Sequence, residues 1–162
     1  MMQQSKKWFA VCAGLFAVMS LPGCGSDVKP PPDVGPTAPV TGTVEMDGKP
    51  LAGATVNFKP KAAKQHYGAH GTTDAAGKYT LKTDIGNGKT TPGAPLGQYD
   101  VTVSKFVKED GSPLPSDAND PNQMLGARDS IPMAYTSAGG HPDMNFEVTA
   151  TGGTFDIKIS SQ

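Results

Sequence analysis

From Val40 onward, apolar and polar residues alternate with a period of two. Val44 and Met46 share one face while Thr43 and Glu45 share the other, and Val56 and Phe58 repeat the arrangement around Asn57. Tyr79 and Leu81, then Tyr99, Val101 and Val103, then Met144, Phe146 and Val148, then Phe155, Ile157 and Ile159 continue it. Alternate side chains of a strand point to opposite faces, so each stretch reads as a strand with one face on a core. Turn chemistry falls between them: Asp47-Gly48 after the first stretch, Asp74-Ala75-Ala76-Gly77 before Tyr79, and Thr151-Gly152-Gly153 before Phe155. With one more strand expected over 69–73, the count is seven. No segment carries a helical stripe, although Ser116 to Arg128 has room for one short turn. Seven short antiparallel strands joined by Gly and Pro turns predict an all-β fold, a single seven-stranded antiparallel β-sandwich over residues 40–162.

Before Val40 the pattern changes twice. Lys6 and Lys7 precede an apolar run of fourteen residues, Trp8 to Leu21, interrupted only by Gly14 and Ser20. A membrane-spanning helix needs roughly 20 residues, so the run suits the core of an export signal instead. It closes on Leu21-Pro22-Gly23-Cys24, which resembles the lipobox of bacterial lipoproteins. That resemblance implies cleavage before Cys24, diacylglycerol and acyl chains (palmitate among them) on its thiol, and a membrane anchor. Pro22 is the unusual residue of the box. The alternative is a secreted chain with a free thiol. Cys12 leaves with the signal, so Cys24 has no partner for an intrachain disulfide in the mature protein. Gly25 and Ser26 follow the cysteine where an aspartate would retain a Gram-negative lipoprotein in the inner membrane. By analogy the expected address is the cell envelope, at the outer membrane, facing the periplasm or the cell surface.

Gly25 to Pro39 reads GSDVKPPPDVGPTAP, with five prolines and no periodicity. Proline fixes its own φ and extends its predecessor, so this is a semi-rigid spacer reaching at most about 45 Å at ~3.1 Å per residue. The chain therefore divides into a signal (1–23), a lipidated cysteine with a proline-rich linker (24–39) and one β domain (40–162). Loss of the signal leaves 12 Lys plus Arg against 15 Asp plus Glu, a formal charge of −3. No basic cluster survives, which argues against nucleic acid as a partner.

Three blocks carry a family resemblance. Val40 to Pro60, VTGTVEMDGKPLAGATVNFKP, is similar to the opening of carboxypeptidase regulatory-like domains, with their D-G-x-P-L-x-G-A turn between two strands. Gly71 to Leu81, GTTDAAGKYTL, resembles that family's T-D-x-x-G-x-Y-x-L signature, and Gly97 to Val103, GQYDVTV, its G-x-Y-x-V-x-V strand. Ile131-Pro132 with Tyr135 resembles a later element of small bacterial lipoproteins of this type. The resemblance implies a transthyretin-like sandwich. Gly48, Gly53 and Gly77 read as turn residues rather than a ligand cradle.

Catalytic constellations are not visible. The histidines are His66, His70 and His141, without the H-E-x-x-H or H-x-x-E spacing that suits zinc. On an extended chain His66 and His70 share a face about 13 Å apart, and they read as solvated or edge-strand side chains. Gly88-Lys89-Thr90 lacks the preceding glycine of a phosphate loop, since Thr83 occupies that place, and Thr91-Pro92-Gly93 follows where a helix is required. No G-x-S-x-G elbow is present. The C-terminal Ile159-Ser160-Ser161-Gln162 does not match the Tyr-Arg-Gly-Ser-like tail of hydroxyisourate hydrolases, another transthyretin-like family.

Asp117 to Asn122, DANDPN, has the oxygen-rich composition of a calcium loop but neither the glycine nor the distal glutamate of an EF-hand, and reads as an Asx-turn segment. The connection from Phe106 to Gly140 is long for a sandwich. Its apolar residues Met124, Leu125, Ile131 and Met133 are expected to fold back onto the sheet or to face a partner. The expectation is a non-enzymatic envelope lipoprotein, without cofactor or metal beyond the lipid on Cys24, that binds an envelope protein or serves a structural role. The alternative is a carbohydrate-binding module, with Tyr67, Phe106 and Tyr135 as candidate sugar platforms. Few aromatics support that alternative, and the only tryptophan, Trp8, leaves with the signal.

Overall fold

A computed structural model describes residues 33–62, 65, 67–114 and 126–161. Cys24, His66, the Asp117–Asn122 segment, Met124 and Leu125 lie outside the described residues. The strands run in chain order β1 (Thr37–Ala38), β2 (Val40–Met46), β3 (Lys49–Pro50), β4 (Thr55–Pro60), β5 (Ala69–Thr72), β6 (Lys78–Thr80), β7 (Lys82–Gly86), β8 (Lys89–Pro92), β9 (Ala94–Pro95) and β10 (Gly97–Ser104). They continue as β11 (Phe106–Val107), β12 (Arg128–Asp129), a single turn of helix α1 (Met133–Thr136), β13 (Asn145–Val148), β14 (Gly153–Thr154) and β15 (Ile157–Ile159).

Two sheets dominate. The larger is antiparallel in the order β13-β10-β4-β5-β7-β8. The smaller is built on β2, with β6 and β3 antiparallel along one edge and β14 and β15 parallel along the other. All-β character follows the alternation, whereas the parallel pairing of β2 with β14 and β15 departs from the fully antiparallel arrangement expected. Asp156 joins the two parallel segments. Its Oδ1 accepts from Thr43 N and from Thr43 Oγ1, each at 2.8 Å, and so fills the break in the ladder.

One apolar core draws on both sheets. Val40 and Val44 of β2, Tyr79 of β6 and Ile157 and Ile159 of β15 meet Val56 and Phe58 of β4, Tyr99, Val101 and Val103 of β10 and Val148 of β13. Phe58 sits among three rings, with centroids 5.6 Å from Tyr99, 5.7 Å from Phe146 and 6.2 Å from Phe155.

Two local devices hold the sheets in shape. Asp47 and Gly48, at φ 51° and 76°, make the tight turn from β2 to β3 that their residue types favour. Gly42 lies opposite Tyr79 in the ladder, and the absent side chain lets the tyrosine ring cross over it so that Tyr79 Oη donates to Phe155 O at 2.6 Å.

Thr73, buried at the end of β5, closes the turn between β3 and β4. Its Oγ1 accepts from Ala54 N at 2.8 Å and donates to Leu51 O at 2.6 Å. Thr73→Val keeps the shape but leaves a buried N–H without that partner. We expect it to lower stability by about 1–3 kcal/mol, read as a lower midpoint in urea unfolding.

The long connection after β10 is tied at its base. β11 pairs with β12 through Phe106↔Asp129 and Val107↔Arg128, and Asp129 Oδ1 accepts from Lys105 N at 3.0 Å and Ile131 N at 2.9 Å. Ile131 enters the core as expected. Met133, by contrast, is 73% exposed on α1. Residues 116–125 of the stretch with room for one short turn lie outside the described residues, and the helical turn that is described, α1, follows that stretch.

Candidate functional site

The structure separates the three aromatic candidates. Tyr135 is buried, its ring stacked on His141 at 4.6 Å between centroids, and its hydroxyl accepts from Ser160 N at 3.4 Å. That ring packs the long connection against the end of β15 and offers no open face. Phe106 is half exposed on β11, beyond the Ser104 end of β10, whereas half-buried Tyr67 precedes β5 where Ala69 pairs with Phe58, toward the Tyr99 end. Tyr67 and Phe106 therefore stand at opposite ends of the larger sheet and cannot share one short ligand.

Hollows gather at the Tyr67 end instead. One of about 340 Å³ is lined by Lys61, Gln98, Tyr99, Asn145, Phe146 and Glu147. Within it Lys61 Nζ lies 3.3 Å from Asp100 Oδ1 and donates to Asn145 Oδ1, tying the end of β4 to β10 and β13. A neighbouring hollow of about 600 Å³ shares Lys61 and Gln98 and adds Ala62, Gln65, Leu96 and Gly97. Gln65 Nε2 donates to Tyr99 Oη, which itself donates to Pro95 O at 2.7 Å, so the chain after β4 is fastened to a core tyrosine. Burial lifts the Tyr99 phenol to about 12.

A third hollow, about 410 Å³, opens on the outer face of the larger sheet. Its lining includes Asn57 and Lys59 of β4, His70 of β5, Asp84 of β7, and Tyr67 and Gly68. Ladder register builds it, since Asn57 pairs with His70 and His70 with Lys82, which places three strands' outward side chains in one row. His70 Nδ1 lies 3.6 Å from Asp84 Oδ2. A fourth, about 210 Å³, is formed by Asp33, Val34, Pro36, Gln65, Tyr67, Pro95 and Leu96, where the linker reaches the domain.

Elsewhere the titratable groups serve local structure. Burial, followed by the nearby Asp156 carboxylate, raises the Tyr79 phenol well above its ordinary value. The Ser161 backbone N–H and hydroxyl, with Lys49 behind them, hold Asp47 below the usual carboxylate range, and the Ser112 side chain and backbone do the same for Asp110. Among the described residues, no three His, Cys, Asp or Glu side chains converge as a metal site would require. Every buried side-chain polar atom described has a hydrogen-bond partner.

Comparison with protein-family models, curated proteins and solved structures finds no match to this chain. The functional reading therefore rests on its own residues. Register, rather than any local motif, places Asn57, His70 and Lys82 in one outward row, with Asp84 two residues beyond Lys82 on the same face and diagonal to His70. The one signal in the sequence that bears on it is Gly68, a residue without a side chain between Tyr67 and the strand.

Proposed function

We propose that the chain is a lipid-anchored protein of the bacterial envelope whose transthyretin-like, carboxypeptidase regulatory-like β-sandwich acts by binding, not by catalysis. Acylated Cys24 anchors it and the proline-rich linker holds the domain away from the membrane, with the outer membrane as the expected address. The observation that carries the binding reading is the gathering of four open hollows of mixed polar and apolar lining at the end of the domain that the linker meets. The first reading is an envelope protein as partner, or a structural role beside one.

Cross-linking the intact protein in its native cells, followed by mass spectrometry, tests it. Recovery of one reproducible protein attached near Lys59, Lys61 or Tyr67 supports the reading, and its failure under conditions that cross-link other envelope proteins counts against it. The anchor has its own test. Cys24→Ser is expected to move the protein from the membrane pellet to the soluble or unprocessed fraction and to abolish labelling by radioactive palmitate, because stable attachment needs the acyl chains.

A second reading, a carbohydrate-binding module, is favoured by the hollow between Asn57 and Asp84, which joins hydrogen-bonding side chains to an aromatic ring.

A further inference from the structure

We propose that the hollow between Asn57 and Asp84, beside Gly68, is a binding site for a neutral glycan, with Tyr67 as its aromatic wall and Asn57, His70, Lys59 and Asp84 as its hydrogen-bonding groups. The proposal rests on the carbohydrate reading above and gives it a place. Gly68 lies beside the outward row of the larger sheet, where it contributes no side chain. A Cβ there would come within 2.6 Å of Phe58 O, so glycine lets the segment entering β5 approach the β4 backbone closely. At about 410 Å³ the space is within the ~300–1,000 Å³ range typical of small-ligand sites.

The lining selects the class of ligand. Lys59 and Asp84 line the hollow with one fixed charge of each sign, and Lys82 stands beside it in the row. The lining is a mixture of donors and acceptors: the two-way amide of Asn57, the ring nitrogens of His70, the Lys59 ammonium and the Asp84 carboxylate. Sugar hydroxyls both donate and accept, and so match such a mixture where an ion of one sign does not. The C–H face of a pyranose ring matches the half-buried Tyr67 ring. Tyr67 also lines the adjoining hollow with Gln65, Pro95 and Leu96.

The intact protein, purified in a detergent without a sugar headgroup, is titrated with cellohexaose, chitohexaose and mannohexaose while backbone amide shifts are followed by NMR. The expected result is saturable shifts with at least one of these sugars, centred on Asn57, Gly68, Ala69, His70 and Asp84. Because a side chain at Gly68 threatens the fold, the site is probed with Tyr67→Ala and Asp84→Asn. Each is expected to weaken binding about tenfold or more while leaving distant amide shifts unchanged. Saturable shifts centred elsewhere, for example around Phe106, overturn this site and leave the carbohydrate reading standing. Absence of shifts with all three sugars overturns both.

Discussion

Phe58→Ala is expected to remove about 3–5 kcal/mol of stability, the range for deleting a fully buried aromatic side chain. The site is severe because Phe58 contacts rings from three other places in the chain: Tyr99 on β10, Phe146 on β13 and Phe155 between β14 and β15. Phe146 and Phe155 also touch each other at 4.9 Å between centroids, so the gap left by Phe58 opens beside a pair that depends on it for position. Small domains have about 5–15 kcal/mol in total, so a loss of this size approaches global unfolding. Urea denaturation followed by circular dichroism checks it. The midpoint should fall sharply with little change in slope, and Phe58→Leu, which refills most of the volume, should recover more than half of the loss.

Gly42→Ala is expected to be at least as damaging for one added methyl group, at about 3 kcal/mol or more. A Cβ at this position would overlap the carbonyl oxygen of Phe155 and would also lie 2.8 Å from a Tyr79 ring carbon. Neither neighbour has room to move. Phe155 N donates to Thr41 O at 2.9 Å within the parallel ladder, and Tyr79 is pinned by its hydroxyl on Phe155 O. Tyr79→Phe is the informative comparison, because it removes that hydrogen bond without adding volume and should cost only about 1 kcal/mol. If Gly42→Ala matched Tyr79→Phe in thermal unfolding, the close approach would not matter as argued.

The strands with one face on the core were legible because alternation reports burial directly. Val44, Val56, Phe58, Tyr79, Leu81, Tyr99, Val101, Val103, Met144, Val148, Ile157 and Ile159 alternate in the sequence and are buried in the structure. The hairpin of β7 and β8 escaped that reading although Asn87-Gly88, a strong turn signal, connects its strands. Its residues are mostly polar and exposed, so no alternation marks them. The direction of pairing was also hidden, because an apolar period of two is the same whether a neighbouring strand runs up or down. Parallel pairing of β2 with β15 depends on a separation along the chain that no local pattern encodes.

The candidate site was less legible than the fold. Tyr67, Phe106 and Tyr135 were chosen for aromatic character, but only register tells that Tyr67 and Phe106 are at opposite ends, and only the folding of the long connection tells that Tyr135 is buried against His141. The hollow beside Gly68 is lined by neighbours from β4, β5 and β7, a constellation with no sequence spacing of its own.

The parallel pairing also decides how the domain bears load. Val40 pairs with Gly153 and Met46 with Ile159, so the chain enters β2 at one end of this ladder and leaves β15 at the other, about 20 Å away at ~3.3 Å per residue. Pulling on the linker and on the segment after Ile159 would draw the two strands past each other along their length. Their cross-strand hydrogen bonds, together with the Thr43 contacts to Asp156, would then resist together in shear instead of opening one after another like a zip. Force applied between those two ends would therefore have to break the ladder as a unit.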